Sequence, residues 1–485
     1  MQPASHPIDC SFDKSDPLSI YEFSRLLIGQ SLHTLLGEEV IAQRRKGKGG
    51  LGQMVEELFF GYDANSNRNA DFEEANVELK CTPLLQSKAN GSFRIKERLV
   101  CTMIDYFEII GTKFEDSHLL AKCRLMLLLF YLHTSGTAAY DLKFLYRVLW
   151  MLPEKDLAII KQDYDTIADK VRRGEAHLLS EGDTVYLGAC RKGQKGDSPQ
   201  KQPNSDIRAN KRAFSLKPAY MRYVLDHVTA SGHDHFTNYT SATRDGFELV
   251  NKDQLADKSF EEIILDRFSQ YAGLDYEEIC RRLGMTPYQS KNKYADVAAL
   301  IASANASKRL AKAEEFVKSG ITMKTIRLKN SGMPKESMSF KNIDYCEVYE
   351  NDDWIESEAY EIFTNRFLFV VFKPVAGKTI SVKDNKTDTI VTEPAHILDK
   401  AFFWTMPPVD LDVAREYWED IRANVIADNI NSGAFWKLAD HRKFHVRPKA
   451  SDRTQKTINP NGGTCDKFCY WFNAEYVKQI IDSAK

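Results

Sequence analysis

The sequence predicts an α/β fold that occurs twice in one chain, and two observations carry that prediction. Stretches with apolar residues at helical spacing interleave with short apolar or alternating runs along the 485 residues. Pieces of the first half then recur in the same order in the second. LDYEEICRRLG (274–284) echoes LSIYEFSRLLIG (18–29), ITMKTIRL (321–328) lies over VELKCTPL (77–84), and KESM (335–338) follows as KERL (96–99) does. FHVRPKA (444–450) lies over LGACRKG (187–193), and CYWFNAEYV (469–477) over AFSLKPAYM (213–221). Ordered repetition of this kind signals one folding unit used again. The length suits two domains, and 43% hydrophobic residues suffices for two cores. The expected layout is residues 1–235 as the first copy, a polar linker over 236–254, and the second copy over 255–485.

Bulk composition narrows the setting. No apolar run approaches the roughly 18 residues needed to span a bilayer, and the first residues show no basic region followed by an apolar one, so no membrane or secretory role is expected. The nine cysteines include no CxxC pair and read as reduced thiols of a cytoplasmic protein. Net charge is −2, but its distribution is uneven. Residues 191–217 hold eight Lys or Arg against two Asp, and residues 442–456 hold six against one. Two basic segments in a balanced chain suit contacts to a polyanion, or two solvated loops.

In chain order, 18–36 has the spacing of an amphipathic helix that breaks at Gly29. Arg44 to Lys48 leads into a glycine-rich loop, where backbone can approach a phosphate and Lys48 can contact one. A helix over 52–60 then offers Glu56 or Glu57. After it comes the stretch with most chemistry: Asp71, six residues, Glu78, one residue, Lys80. If 77–84 is a strand, Glu78 and Lys80 share one face while Val77 and Leu79 enter the core. Two carboxylates and an ammonium then converge, a set that suits a hard cation such as Mg2+ held by Asp71 and Glu78, with Lys80 positioning a water. Residues 119–132 and 143–152 read as core, and 155–174 as a charged helix ending at glycine. A strand near 184–189 delivers the chain into the first basic segment. Arg191, Lys192, Lys195, Arg212 and Lys217 there are candidates for DNA contacts, and Arg447 and Lys449 are their counterparts in the second copy. The copy differs at the centre: Glu78 becomes Thr322, Lys80 persists as Lys324, Glu315 lies over Asp71, and the place of Glu56 falls in the apolar run 297–301. One half is expected to cut and the other mainly to bind.

The stretches KGKGGLGQMVEE, VELKCTP, KERLV, GEAHLLSEGDTVYL and RAFSLKPAYM, with Asp71 between the first two, resemble the MutH-like endonucleases, which comprise a mismatch-repair nickase and GATC-cutting type II restriction enzymes. The resemblance implies a mixed sheet flanked by helices, two tandem restriction-endonuclease-like domains forming a pseudo-dimer, Mg2+ dependence, and cleavage of double-stranded DNA before the G of GATC. By position it makes Asp71, Glu78 and Lys80 catalytic, Glu56 the auxiliary carboxylate and Lys192 the groove-reading residue. The segment from Gly52 to Gly61 is one residue longer than the family's spacing, which leaves Glu56 against Glu57 open. Ser215 stands where the nickase has an adenine-contacting tyrosine, so methylation preference does not transfer. A hemimethylation-directed nickase and an inert DNA-binding clamp are the alternative functions, and self-association or two-site DNA binding stays open.

Overall fold

The computed structural model describes residues 11–44, 50–62, 69–86, 91–192, 199–231, 236–237, 246–384, 387–448 and 455–484. Two compact units emerge, the first of residues 1–179 and 184–244, the second of 180–183 and 245–485.

In the first unit a mixed sheet runs in the order β10 (Phe236–Thr237), β5 (Phe144–Met151), β4 (Leu125–Leu132), β1 (Glu78–Gln86), β2 (Phe93–Ile95). β1 lies parallel to β4, and β4 antiparallel to β5. β4 reads LMLLLFYL because both its faces are covered, and Met126 to Phe130 are fully buried. A second sheet has the antiparallel order β3 (Leu99–Met103), β9 (Arg212–Leu216), β6 (Leu187–Arg191), with the small ribbon β7 (Gln200–Gln202) and β8 (Ser205–Ala209) beyond it. The expected break at Gly29 is present: helix Pro17–Phe23 and a tight turn precede it, helix Leu32–Leu36 follows, and Gly29 has φ +79°. Residues 155–174 form the helix Glu154–Arg172, ended by Gly174 at φ +74°.

The second unit repeats this plan. β11 (Thr322–Arg327) runs parallel to β13 (Phe367–Asp384), which pairs antiparallel with β14 (Thr389–Trp404). β12 (Met338–Asn342), β18 (Phe468–Phe472) and β15 (Phe444–Pro448) form the three-stranded antiparallel sheet, and β16 (Lys456–Ile458) with β17 (Thr464–Asp466) the ribbon. Even single contacts recur. Helices Glu154–Arg172 and Pro408–Ile426 are each 19 residues long and follow a proline. In their first turns Asp156 accepts a hydrogen bond from Tyr220 and Asp410 one from Tyr476, both at 2.7 Å.

One boundary differs from the sequence expectation. Residues 246–254 belong to the second unit rather than to a linker: Phe247 bridges to Ala313, and the buried Glu315 carboxylate accepts the backbone N–H groups of Leu249 and Val250. The polar look of the segment hid this, since its anchor lies more than sixty residues downstream.

The strand that leads into the first basic segment is held by one carboxylate. Buried Asp163 accepts the backbone N–H groups of Val185, Tyr186 and Leu187 at 2.7–2.8 Å, and burial pushes its pKa up to about 6. Asp163→Ala strands three buried donors, so we expect a loss of about 3 kcal/mol or more, read as a lower urea midpoint at neutral pH.

Candidate active site

Three local structures bring the acidic residues of the first unit together. Helix Leu51–Met54 lies against β1, where a Cβ on Gly52 would meet Cys81 at 4.0 Å. The next turn, Val55–Phe59, is a π-helix closed by the Phe60 N–H on the Val55 carbonyl at 3.0 Å. A π turn is how a helix takes up one extra residue, and it stands where the sequence has one more than the family spacing. Glu56 then shares its electrostatic surroundings with Asp71, Lys80, Glu78 and Lys122, whereas Glu57 accepts a hydrogen bond from Gln53 along its own helix. Of the two, Glu56 is the one shown to feel the charges of Asp71, Glu78 and Lys80. Asp71 opens a tight loop in which Phe72 and Val77 exchange backbone hydrogen bonds around Asn76 at φ +52°. The loop returns the chain beside β1, and the Leu79 N–H donates to Asp71 Oδ2 at 2.9 Å.

β1 begins at Glu78. Its carboxyl is 1% exposed and takes two ammonium groups: Lys80 Nζ at 2.6 Å from Oε1, and Lys122 Nζ at 3.1 and 3.2 Å from the two oxygens. Lys122 stands on helix His118–Cys123, started by the Ser117 side chain. Sequence reasoning missed it because it lies 44 residues from Glu78 in a run read only as core. The available signal was a lone lysine in an apolar run, which needs a buried counter-charge.

The charge balance of this cluster leans negative. Burial, then the Glu78 charge, raises the Asp71 pKa, and burial, then Asp71, raises Glu56 to about 7. Burial opposes the Lys80 ammonium, but the Glu78 charge and hydrogen bond hold its pKa above the ordinary lysine value. Lys80 is thus held as an ammonium donor beside Glu78. The donor set fits a hard divalent cation: carboxylate oxygens only, with mutual repulsion that two ammonium groups leave unrelieved. Among the described residues no three His, Cys, Asp or Glu side chains converge as a ligand cage. The fit is therefore of the pair Asp71 and Glu78, with Glu56 behind them, to an ion that keeps several waters.

The residues expected at DNA separate. Arg191 and Lys192 are exposed at the end of β6, where the Lys192 N–H donates to the Lys211 carbonyl. Arg212, the cross-strand partner of Arg191, is half-buried and donates to the Ala189 carbonyl at 2.6 Å. Lys217 departs from expectation. It is buried, its ammonium donates to the Thr184 carbonyl, and it lies near enough to Asp163 to lower that pKa. A lysine so enclosed supports the strand entry and offers no surface to a phosphate. Arg447 is exposed, with its guanidinium 5.2 Å from the Trp471 ring. Lys48, Lys195 and Lys449 lie outside the described residues.

In the second unit the corresponding centre is dismantled. Thr322 begins β11 where Glu78 begins β1. Counting five residues from the helix-starting serines, Ser117 and Ser357, puts the buried Ile362 in the place of Lys122. Lys324 remains but donates to the Ser339 carbonyl at 2.7 Å. Residues 297–301 are helical and buried, and Glu315 is spent on backbone N–H groups.

The raised Glu56 pKa makes a signed prediction. The folded protein holds the Glu56 proton more tightly than an ordinary glutamate with its pKa of 4.5, so this group's contribution to stability is full below about 4.5 and is lost as pH rises through about 7. In EDTA, Glu56→Gln is expected to melt with wild type at pH 5 and above it at pH 8. Equal melting temperatures at both pH values contradict the raised pKa.

Part of this site lies in a stretch that matches a known family. The family described as DNA mismatch repair enzyme MutH matches residues 60–163, which include Asp71, Glu78, Lys80 and Lys122. The type II restriction enzyme Sau3AI of Staphylococcus aureus is 29% identical over 511 aligned positions, covering 96% of this chain and 98% of that protein. The DNA mismatch repair protein MutH of Shewanella woodyi is 26% identical over 205 positions, covering 42% of this chain and 83% of that protein. Residues 60–163 thus match the MutH family, and the chain is similar along nearly its whole length to a type II restriction enzyme.

Proposed function

We propose that the protein is a restriction endonuclease that cuts both strands of duplex DNA at GATC, before the G, by Mg2+-dependent phosphodiester hydrolysis. The observation that carries this reading is the cluster of Asp71, Lys80 and Lys122 around the buried Glu78 carboxylate, in the half that matches the mismatch-repair family, within a chain similar to a restriction enzyme along nearly its whole length. GATC comes from the resemblance of the motif stretches. The nickase reading accounts for the first unit alone, because the mismatch-repair relative covers 42% of the chain.

In this reading Asp71 and Glu78 hold the ion. When bound, it polarises the scissile phosphate and lowers the pKa of a coordinated water. The Lys80 ammonium orients the attacking water and donates towards charge that develops on the phosphate. Lys122 holds the Glu78 carboxylate, 1% exposed, through both of its oxygens. Glu56 supplies an adjacent acceptor once its proton is lost, near pH 7. Arg191 and Lys192, exposed at the end of β6, meet phosphates or guanine acceptors in the major groove. The second unit acts as a DNA-binding partner or effector.

A plasmid with a single unmethylated GATC tests the proposal. Linear product with Mg2+ and none with EDTA is expected, without added repair proteins. Nicked circles alone, or no divalent-dependent cleavage, overturn it. Lys80→Ala is expected to lower the cleavage rate by about 10²- to 10⁴-fold and to leave duplex binding in EDTA within about twofold, by gel shift. Lys122→Ala removes one of two cations on Glu78, so a smaller loss of about tenfold is expected, equivalent to roughly 1.4 kcal/mol. A loss as large as that of Lys80→Ala would assign Lys122 a direct role at the phosphate.

A further inference from the structure

Of the dismantled centre of the second unit, Lys324 lines a cleft. The cleft, of about 290 Å³, is lined by Met323 to Arg327 of β11, by Tyr294 and by the segment from Lys335 to Ser339. Four cationic side chains line it, Lys291, Lys324, Arg327 and Lys335, against the single carboxylate of Glu336. The two on β11 are half-buried and held. Lys324 donates to the Ser339 carbonyl at 2.7 Å and lies 4.6 Å from the Phe340 ring, and Arg327 lies 5.5 Å from the Tyr294 ring. Lys291 and Lys335 are exposed at the rim.

Among the described residues β11 pairs with β13 on one side only, and its other side is open until the Lys335 N–H donates to the Arg327 carbonyl and Leu328 bridges to Pro334, much as β1 meets β2 only from Leu84 to Gln86. Thr322 to Thr325 are accordingly all half-buried, and the Thr325 hydroxyl has no hydrogen-bond partner among the described residues. Edge lysines deter unwanted strand pairing, but that purpose needs neither an arginine laid over a tyrosine nor two rim lysines facing the same cleft. The cleft also continues. A neighbouring one of about 860 Å³ shares Lys335, Glu336 and Ser337 with it and reaches Arg447 and Trp471.

We propose that this cleft binds a backbone phosphodiester of duplex DNA, with Lys324, Arg327, Lys291 and Lys335 standing in for a metal ion, and holds it without cutting. Loss of Glu78 to Thr322 removes the anion that would repel a phosphate, and loss of Lys122 to Ile362 removes the cation that only Glu78 required. What remains in the cleft is four cations against one carboxylate, with Lys324 held by the Ser339 carbonyl and Arg327 near Glu393, which does not line the cleft. The proposal rests on the reading of the second unit as a DNA-binding half. It differs from binding in the first unit in needing no divalent ion.

The test is lysine acetylation of the full chain, mapped by mass spectrometry, with and without a GATC duplex in EDTA. Lys291 and Lys335 are expected to lose reactivity several-fold when the duplex binds, with exposed Lys341, which does not line the cleft, unchanged. The double variant Lys291→Ala/Lys335→Ala, at exposed positions and checked by thermal melting, is expected to lower the slope of log affinity against log salt by about 1.8, at ~0.9 for each phosphate no longer neutralised. No duplex binding in EDTA, binding that leaves both lysines as reactive as before, or protection that appears only with Mg2+ overturns the proposal. Protection in EDTA from a wild-type chain that shows no divalent-dependent cleavage removes the endonuclease reading and keeps this one.

Discussion

The carboxylate of Glu78 is the constraint on which the first unit's centre depends. A carboxylate 1% exposed costs several kcal/mol of lost hydration unless it is paired and hydrogen-bonded. Two ammonium groups meet that cost, one two residues along the same strand and one from helix His118–Cys123. Asp71 is tied to the Leu79 N–H; burial and then the Glu78 charge raise its pKa, and burial and then the Asp71 charge raise that of Glu56. A site strained by like charge is one that a divalent cation relieves, and the same burial that makes Glu78 costly makes that relief strong.

The repeat shows the same rule from its other side. Where Glu78 is absent, Lys122 has no buried partner, and an apolar isoleucine packs in its place. Lys80 can survive as Lys324 because β12 offers the Ser339 carbonyl within reach. The lysine on the strand is therefore separable from the carboxylate, while the lysine on the helix is not. Buried pairs change together because removing one partner leaves an unpaired charge costing several kcal/mol.

Much of this was legible in the sequence where the geometry is local. Glu78 and Lys80 share a face because a strand alternates, and Gly29 and Gly174 end their helices because both take positive φ. Order of elements in the second half followed from short echoes, and three strands of the mixed sheet, the three-stranded sheet and the ribbon repeat it. What stayed hidden lies across long loops. Lys122 has no local motif, and Lys217 looked like its basic neighbours although it turns inward to Thr184 and Asp163. A charge run records composition, not direction. The π turn at Val55–Phe59 is intermediate: an extra residue was visible, but only hydrogen bonding tells which glutamate it presents.

Why one centre should cut and its copy only hold follows from what each can distinguish. Fixed ammonium and guanidinium groups around a phosphodiester stabilise its charge in the ground state nearly as well as in the transition state, and uniform binding does not accelerate a reaction. Acceleration needs a group whose interaction grows as the water loses its proton and the leaving oxygen gains charge. Carboxylates that hold a cation, with a lysine that orients a water, form such a set, and the first unit keeps Asp71, Glu78 and Lys80 together. The second keeps the lysine, with Arg327, Lys291 and Lys335 around it. On the proposed reading, loss of the buried carboxylate and its partners would turn a site that needs a metal ion to tolerate phosphate into one that binds phosphate by its own charge.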